Sequence, residues 1–304
     1  MVPNLDRDFE AVTDSDIPLI MEYLKLTNYE ESNHNIVNMM LWRETYPLWK
    51  CQTDNWLILL GIHQKEFFVY MPLCKPQYLI PAVKCAKEIF DYYKMPFVLS
   101  SYTESVIKQI APAFSEYTPK EFRDPADYIY LTEKFQTFSG KKLQKKRNHL
   151  NAFCNVYQDR YSYETINSEN IPECLEFLKT WKPNDQDDFL KAELKGIRDL
   201  FAIYDKLPVK GGLIRVDGAV KAFTLGSLLS ERMCQINVEK ADDSYRGIYQ
   251  VLAKEFLLHE FQDTTYVNRE DDMGKLNLRK AKMSYYPEFL NYKYRLCKGV
   301  GDDC

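Results

Sequence analysis

Two segments in opposite halves of the chain repeat one order of residue types. They are Phe9 to Lys25 and Tyr163 to Lys179. Identical residues match in a single register: Glu10 with Glu164, Ile17 with Ile171, Pro18 with Pro172, Glu22 with Glu176, Leu24 with Leu178, and Lys25 with Lys179. Each copy has the pattern of a short strand, a polar cap, a proline early in a helix and an amphipathic helix. We therefore predict two copies of one α/β unit, although two ordinary strand-to-helix units could agree by coincidence.

Hairpin patterns follow the repeated segment in both halves. The paired runs are Trp56 to Leu60 with Phe67 to Met71, and Gly212 to Val216 with Val220 to Leu225. The second pair flanks Asp217-Gly218, and Asp-Gly between β-rich runs is a strong hairpin signal. A further strand is predicted at Met233 to Val238. Both halves therefore continue with the same order of elements.

The expected domain organisation follows from this repeat. Residues 1–135 would form a first domain, residues 136–160 a basic linker helix, and residues 161–304 a second domain that carries the site. The length of 304 residues suits about two domains of ordinary size. The expected fold class is mixed α+β, with a mostly antiparallel sheet flanked by helices in each domain.

Composition excludes some classes of protein. Hydrophobic residues are 45% and charged residues 28%, which is typical of a globular protein in water. The net charge of -4 gives no global attraction to nucleic acid, so any anion must be bound by a local patch. No apolar run approaches the roughly 20 residues of a membrane span, and no signal peptide precedes the first domain. We therefore expect a cytoplasmic protein without an integral membrane segment.

The cysteines and histidines indicate neither disulfides nor a metal site. The eight cysteines are scattered and form no C-x-x-C pair: Cys51, Cys74, Cys85, Cys154, Cys174, Cys234, Cys297 and Cys304. The four histidines form no H-x-x-x-H spacing. We therefore expect reduced thiols and no zinc site.

Two polar segments are candidates for binding or chemistry. A basic segment, Lys141 to Arg147, has a thin apolar stripe and is predicted to be a helix that contacts the phosphates of a nucleotide or of RNA. A solvated helix face would give the same composition. Near the C-terminus, a β-rich run at Thr265 to Val267 leads into a dense polar cluster. The cluster contains Asn268, Arg269, Glu270, Asp271, Asp272, Gly274, Arg279, Lys280 and Lys282. A strand that ends in mixed charges often places reactive groups at a sheet edge, although a solvated turn and a basic helix would look alike.

The duplicated plan resembles tandem acyltransferases of the GNAT superfamily (acyl-CoA N-acyltransferases). In that fold, a turn before a helix receives the pyrophosphate of an acyl carrier on its backbone amides. The matching turn here is Tyr245 to Gln250, before a helix predicted at Val251 to Glu260. It keeps Arg246 and Gly247 but has Tyr249 where the family has a second glycine. The resemblance implies donor binding at Val238, Arg246 and Gly247, with an oxyanion-binding backbone amide near Val238 or Glu239.

A closer resemblance is to the soluble C-terminal domain of phosphatidylglycerol lysyltransferases, also called DUF2156. It is carried by Gly140 to Asn148, by Gly212 to Phe223, and by Asn268 to Gly274 with Leu278 to Tyr285 and Pro287. Members of that family move an aminoacyl group from a charged tRNA to a lipid hydroxyl. The resemblance implies aminoacyl or acyl transfer, with aminoacyl-tRNA or acyl-CoA as donor and no tightly bound cofactor. This chain lacks the membrane portion that the lipid-modifying members carry, so we expect a soluble amine or hydroxyl acceptor, with a lipid headgroup as the second candidate.

The resemblance also assigns roles within the second domain. Proton acceptors would be Glu239, Asp271 or Tyr285, and substrate would contact Asn268, Arg269, Arg279 and Lys282. Each charged residue could instead form a surface ion pair, for example Asp271 with Arg279. The first domain has no counterpart of the C-terminal cluster, so we expect it to be degenerate and to support the second domain or shape a cleft.

Two functional classes remain open from the sequence. One is an acyltransferase that uses aminoacyl-tRNA, through the basic segment, or acyl-CoA. The other is a catalytically inactive protein that keeps the fold and binds a ligand or tRNA. Tyr249 favours the second class or a tRNA donor, and the C-terminal cluster favours the first class.

Overall fold

The computed structural model describes residues 9–63, 66–182 and 187–298. The chain divides into two compact units: one is Met1–Ala126 with Asn291–Cys304, and the other is Asp127–Leu290. Each unit contains helices and a mostly antiparallel sheet, so the mixed α+β class predicted from the sequence is confirmed.

The first unit is built on an antiparallel sheet with an apolar central strand. Its elements are β1 (Glu10–Ala11), α1 (Ile17–Leu24), α2 (Ile36–Leu41), β2 (Leu48–Gln52), β3 (Trp56–His63), β4 (Glu66–Val69), β5 (Leu73–Cys74), α3 (Leu79–Tyr92), α4 (Glu104–Ile110) and the start of β6 (Tyr117–Leu131). The strand order is β1-β2-β3-β4, and β5 also pairs with β3. The side chains from Leu57 to Leu60 in β3 are fully buried, and the residues on both faces of this strand anchor the core.

Local chemistry fixes the helix starts in this unit. Pro18 lies in the first turn of α1, where its missing N–H leaves no partner unsatisfied. The Asn35 side chain accepts hydrogen bonds from the amides of Val37 and Asn38 and so caps α2. The Thr103 hydroxyl caps α4 in the same way, by accepting from the Val106 amide. Each cap satisfies backbone donors that a helix end otherwise leaves free.

The second unit holds a larger sheet with helices on both faces. Its elements after β6 are α5 (Thr132–Thr137), α6 (Gln144–Tyr157), β7 (Tyr161–Thr165), α7 (Ile171–Thr180), α8 (Asp188–Ala202), β8 (Val209–Val216), β9 (Ala219–Ser230), β10 (Met233–Ala241), α9 (Ile248–Glu260), β11 (Tyr266–Asn268), α10 (Leu276–Met283) and β12 (Phe289–Lys298). The strand order is β12-β6-β11-β10-β9-β8-β7. The β8–β9 turn is Asp217-Gly218, and both residues have positive φ, at 51° and 80°. This is the left-handed turn that Asp-Gly favours in a hairpin.

Two neighbouring strands of the second sheet diverge. β10 and β11 run parallel and pair from Met233 with Tyr266 to Gln235 with Asn268. β10 then continues to Ala241, paired with β9 alone in the described part of the chain. We call the region between Asn237–Glu239 of β10 and the residues that follow Asn268 the β10–β11 mouth.

A β-bulge reverses the two faces of β10 at this mouth. Before the bulge, Cys234 and Ile236 pack in the core under α9, and after it Ala241 does. Lys240, which lies on the other face, pairs with Glu193 of α8. Because side chains alternate along a strand, Glu239 lies on the α9 face and Gln235 on the α8 face.

The observed elements differ from the predicted ones in a few places. The helix expected from Val251 begins three residues earlier, at Ile248. The compact units also end elsewhere than the predicted domains. Residues 127–135 and the expected linker 136–160 lie in the second unit, and Asn291–Cys304 lies in the first. β6 and β12 each belong partly to both units, because β6 continues from Ala126 to Asp127 and β12 from Leu290 to Asn291. Residues 64 and 65 of the predicted first turn, the Cys297 side chain and Cys304 lie outside the described residues.

Candidate active site

An arginine and a glutamate span the β10–β11 mouth. Arg269, which follows β11, forms an ion pair with Glu239 of β10. The guanidinium carbon also lies 5.0 Å from the ring centroid of Phe135 and 5.3 Å from that of Tyr285. Burial disfavours the guanidinium charge, but Glu239 and the phenol rings raise the pKa of Arg269 above its usual range. The mouth therefore holds a fixed positive charge among aromatic rings.

Tyr285 is the centre of a cluster beside this arginine. Its ring stacks on Phe135 with centroids 5.1 Å apart and planes 12° apart. The Lys146 ammonium lies 3.8 Å from the ring centroid, and the Gln250 side-chain amide donates to the phenol oxygen at 2.6 Å. Burial raises the pKa of Tyr285, although Arg269 and Gln250 oppose the rise. At neutral pH Tyr285 is therefore a protonated phenol, which can donate a proton but is a poor acceptor.

The turn before α9 is built for close backbone approach. Gly247 is the N-cap residue of α9 and has a φ of 96°, a left-handed conformation. A Cβ atom at this position would overlap the carbonyl oxygen of His149 in α6. Only glycine satisfies both conditions. α6 and α9 therefore contact each other at the N-terminus of α9. An anion bound at this N-terminus would face backbone N–H groups and the positive end of the helix dipole.

Basic side chains converge on the same helix end. Burial, with Arg246 and Lys146 nearby, lowers the pKa of His149. Burial and Arg269 likewise lower the pKa of Lys146. Arg147 is used differently, because it donates to the carbonyls of Phe138 at 2.7 Å and Gly140 at 3.1 Å. The basic segment thus contributes Lys146 to the site and Arg147 to the local fold.

Tyr249 occupies part of the space beside the turn. Its ring packs against the core cluster under α9, and its hydroxyl donates to the Ala241 carbonyl over 3.4 Å. Tyr249 lies in the first turn of α9, at the position of the second glycine in the GNAT pattern. Its side chain connects this turn to the end of β10.

Buried polar side chains line the α8 face of the sheet at the mouth. Gln235 donates to Glu270 at 2.7 Å, and Ser227 donates to the Asn237 side-chain oxygen at 2.8 Å. Asn268 donates to Asp127 at 2.9 Å and accepts from the Glu270 amide at 2.7 Å. Gln235 and Asn268 are fully buried. Asn268, expected to bind substrate, is therefore occupied in holding the turn after β11.

Glu270 and Lys282 are two partly covered charged residues, and the Glu270 backbone is strained. Glu270 has a φ of 58°, uncommon for a non-glycine residue. Burial raises its pKa to about 8, although Lys282 and Gln235 oppose the rise. The Lys282 ammonium donates to the carbonyls on either side of this residue, at 2.5 Å for Arg269 and also to Asp271. Burial lowers the pKa of Lys282, while Glu270 opposes that change.

Arg279 is engaged by an aspartate. It donates to both oxygens of Asp272, at 2.8 and 2.9 Å. Tyr128 donates to the same carboxylate at 2.5 Å, and the Gly274 amide does so at 3.0 Å. Burial opposes the charge, but these donors hold the pKa of Asp272 at about 2. Arg279 was expected to contact substrate, or to pair with Asp271. It instead anchors α10 by its ion pair with Asp272.

The structure brings some of the predicted residues together and separates others. Arg269, Glu239 and Tyr285 surround one side of the mouth, and Val238 lies at the bulge beside them. Arg246 and Gly247 lie at the start of α9. Asp271 caps the next turn, where its side chain accepts from the Met273 amide at 2.8 Å. Lys282 binds the backbone of the turn rather than facing Arg279 across a shared ligand.

Several residues at the mouth were not predicted from the sequence: Gln235, Asn237, Glu270 as a titrating group, Gln250 and Phe135. Gln235 and Asn237 alternate with the apolar Cys234, Ile236 and Val238 in β10, and this alternation is a signal that sequence reading could have used. Phe135 carries no such signal, because an aromatic residue in a helix is ordinarily part of the core.

One cavity in the second unit is separate from these residues. It has a volume of about 460 Å³ and lies between α7, the β8–β9 turn and the end of β10. Its walls include Phe177, Trp181 and Asp243. None of the predicted site residues lines it. The candidate site at the mouth is therefore defined by contacts between side chains, and this cavity is not part of it.

Other expected features can be compared with the described residues. Six cysteines there are free: Cys51, Cys74, Cys85, Cys154, Cys174 and Cys234. In the same ranges, no cluster of three or more His, Cys, Asp or Glu side chains could hold a metal ion. None of the described helices has the length and hydropathy needed to cross a membrane.

Comparison with known sequences decides the family. The profile described as "Phosphatidylglycerol lysyltransferase, C-terminal" matches residues 24–297. The chain belongs to this family. An uncharacterized protein of Mycoplasmoides gallisepticum is 32% identical over 170 residues, and that match spans 55% of this chain and 54% of the relative's length.

Solved structures of this family share the fold. A conserved protein of unknown function from Bacteroides thetaiotaomicron is 30% identical, with a TM-score of 0.88 over 98% of this chain and 100% of the other. L-PGS from Bacillus licheniformis is 14% identical, with a TM-score of 0.68 over 94% of this chain and 93% of the other. The predicted resemblance to the lysyltransferase C-terminal domain and its GNAT-like fold is confirmed.

Proposed function

We propose that this chain transfers an aminoacyl group from aminoacyl-tRNA to an amine or hydroxyl acceptor at the β10–β11 mouth. The observation that carries the proposal is the convergence of Lys146, His149 and Arg246 on the N-terminus of α9, next to the Arg269 and Tyr285 cluster. An acyl donor with phosphates needs an anion site within reach of the reacting carbonyl. Membership in a lysyltransferase family supports the same chemistry.

Exposed charges on α6 favour tRNA as the donor. Lys141, Lys142 and Lys145 are exposed and lie in or next to the first turn of α6, one or more turns before His149. Together with Lys146 and Arg246 they extend the positive charge well beyond the turn. Phosphates of a nucleic acid follow one another along a strand, so a row of cations suits tRNA better than one pyrophosphate.

Tyr249 is a further reason to prefer tRNA over acyl-CoA. Its ring bridges the end of β10 and the first turn of α9. A pantetheine chain would have to pass there, between the mouth and the turn. We therefore place acyl-CoA second as a donor.

The chemistry proposed at the mouth uses fixed charges. A backbone amide near Val238 or Glu239 would stabilise the oxyanion that forms when the acyl carbonyl is attacked. Arg269 would add positive charge at the same place, and it is oriented by Glu239. Tyr285 would return a proton to the leaving oxygen, because its phenol is protonated at neutral pH.

The acceptor is the least constrained part of this proposal. The family description names phosphatidylglycerol, whose reacting group is a hydroxyl. A soluble hydroxyl or amine presents the same nucleophile without a lipid surface. Both a small molecule and a lipid headgroup are therefore candidates.

Thermal unfolding with added donor tests the proposal. A ligand at about 100 times its dissociation constant stabilises the native state by about 2.7 kcal/mol. We expect a shift with aminoacyl-tRNA, and a smaller one or none with acetyl-CoA. Radiolabelled aminoacyl-tRNA should then lose its label to an acceptor only when the protein is present. A shift with acetyl-CoA alone would contradict the choice of donor.

The catalytically inactive alternative keeps one supporting observation. The ion pair between Arg269 and Glu239 spans the mouth and would have to yield to a substrate. A protein that only binds tRNA would show the thermal shift without any transfer of label. Saturating tRNA binding with no transfer to any amine or hydroxyl would establish this alternative.

A further inference from the structure

We infer that Glu270 takes the proton from the acceptor nucleophile, and that this nucleophile, a hydroxyl or a primary amine, binds on the α8 face of β10 and β11 beside Asn237. The inference rests on the proposed function. It assigns the proton acceptor, and it assigns the sheet face on which the nucleophile binds. Arg269 and Tyr285 lie on the opposite face of the sheet at the mouth.

The two faces of the sheet differ in chemistry at the mouth. On the α9 face, Glu239 and Arg269 are paired beneath aromatic rings. On the α8 face, Gln235, Asn237 and Glu270 are polar side chains on adjoining strands. A donor held at the α9 turn reaches the mouth from one face, so a nucleophile on the other face approaches the carbonyl from the opposite side.

The backbone holds Glu270 in place before any ligand binds. Its N–H donates to the Asn268 side chain at 2.7 Å, and its carbonyl accepts from the Tyr128 amide at 3.1 Å. The Lys282 ammonium donates hydrogen bonds to the carbonyls of Arg269 and Asp271, which flank Glu270. These contacts stabilise a left-handed backbone that costs about 1–3 kcal/mol elsewhere in proteins. The local structure thus maintains strain to keep one carboxyl at the mouth.

The charges around Glu270 suit a proton acceptor near neutral pH. Burial raises its pKa to about 8, Asp271 and Asp127 add to the rise, and Lys282 from α10 opposes it. A base is most effective when its pKa is close to the working pH. Glu270 is only partly covered, so an acceptor can reach it. By contrast, Glu239 is engaged by Arg269, and Tyr285 is a protonated phenol.

Asn237 supplies the matching donor. Its side-chain nitrogen is buried and has no hydrogen-bond partner among the described residues, while its oxygen accepts from Ser227. The residue as a whole is 4% exposed. An unpaired buried N–H group costs about 1–3 kcal/mol, and a ligand oxygen or nitrogen that accepts from it would recover this energy. Asn237 lies two residues after Gln235 in β10, and the Gln235 side chain donates to the Glu270 carboxyl at 2.7 Å.

The proposed step balances in atoms and charge. The lone pair of the acceptor oxygen or nitrogen forms the bond to the acyl carbon, and its proton passes to Glu270. The bond between that carbon and the ribose oxygen of the donor then breaks. The ribose oxygen takes its proton from Tyr285. Glu270 then loses its proton to solvent and Tyr285 regains one from solvent, so both groups return to their starting states. The products are the aminoacylated acceptor and free tRNA.

Transfer kinetics of the full chain test this inference. Labelled aminoacyl-tRNA is the donor, and glycerol, ethanolamine and phosphatidylglycerol vesicles are the acceptor probes. We expect Glu270→Gln to lower kcat at least 100-fold and to remove the rise of the rate toward pH 8. We expect Asn237→Ala to raise the KM of the acceptor about tenfold without changing the affinity for tRNA. The exposed Glu288→Gln variant is the matched control, with unchanged kinetics.

The outcomes separate the inference from the proposed function. If the wild type transfers label and Glu270→Gln keeps its rate and pH profile, the inference is wrong and the function stands. If Glu270→Gln loses tRNA binding or its thermal midpoint along with the rate, the residue is structural and the inference is also wrong. If the wild type binds tRNA but transfers to no probe, the proposed function fails, and the inference fails with it.

Discussion

A single ion pair illustrates how residues in this family signature serve the fold. Asp272 is fully buried, and Arg279, Tyr128 and the Gly274 amide satisfy its carboxylate. The sequence showed a run of charges that could all have faced a ligand. The contacts show that part of the run stabilises the turn, because a buried carboxylate without a partner would be very costly.

Replacing Arg279 with alanine should therefore destabilise the protein at neutral pH. The change leaves the Asp272 charge buried, so we expect a loss of about 2–4 kcal/mol in the free energy of unfolding. Urea unfolding of Arg279→Ala measures it, with the exposed Lys280→Ala as a control that should change stability by less than about 0.5 kcal/mol. Because the folded pKa of Asp272 is about 2, its contribution is present above about pH 4 and is lost as the pH falls through 2. Equal stability of both variants would contradict this assignment.

Glu270 should give the opposite dependence of stability on pH. Its pKa is about 8 in the folded state, against an ordinary value of 4.5 for a glutamate in the unfolded chain, so the folded state favours the protonated carboxyl. Stability from this group is complete below about pH 4.5 and is lost as the pH rises through 8. We expect Glu270→Gln to be more stable than the wild type at pH 9, by about 1–3 kcal/mol, and to differ little at pH 4. Thermal unfolding of both proteins across this range decides it; parallel curves would rule the raised pKa out.

At the scale of elements, the contact between α6 and α9 depends on one glycine. Gly247→Ala would place a Cβ against the His149 carbonyl in a backbone with φ of 96°. We expect a loss of more than about 2 kcal/mol in the free energy of unfolding. Gly218→Ala is the matched control, because Gly218 also has positive φ but nothing lies within 4 Å of its Cβ position. It should lose only about 1 kcal/mol. Similar losses in both variants would mean that the two helices can separate.

The first turn of α9 also decides the donor. We expect Tyr249→Gly to bind acetyl-CoA more tightly than the wild type, because the path from the mouth to the turn widens. The change in thermal midpoint with excess acetyl-CoA measures this. Tyr245→Phe is a useful comparison, since it keeps the ring size in the same turn. If Tyr249→Gly gains no affinity, the tyrosine does not restrict the donor.

The elements themselves were largely readable from the sequence. Asp217-Gly218 predicted the β8–β9 turn, and proline with apolar periodicity predicted α1 and α7. The bulge in β10 was not readable, because the alternation of its side chains is interrupted by a single residue in the middle of a buried strand. The extra residue at the bulge places the Glu239 side chain on the α9 face. No local sequence pattern predicts the bulge.

At the scale of the whole molecule, each unit has its own core. Leu60 is fully buried in the first cluster, and Leu252 is fully buried in the second. We expect Leu60→Ala and Leu252→Ala each to lose about 2–5 kcal/mol. Hydrogen exchange should speed up in β2–β4 for the first variant and in β8–β10 for the second. Faster exchange in the other unit's strands for either variant would show that the two cores unfold as one.

The shared order of elements supports the predicted duplication without proving it. In both units a short strand and a helix with an early proline precede antiparallel strands, as in β1–β4 and β7–β10. The C-terminal cluster occurs only in the second unit, so the site was assigned there. That the first unit is degenerate stays a prediction.

The sequence by itself determined the fold class, the family and most element types, since these depend on local periodicity, turn chemistry and motif order. Only the tertiary structure decided which charged residues act on the fold and which face the mouth. Arg279 and Asn268 hold a turn, whereas Gln235 of β10 contacts Glu270 after β11. The physical reason is that pairing and burial depend on contacts between residues far apart in the chain. Register, a bulge and a left-handed backbone set those contacts, and the order of residue types does not record them.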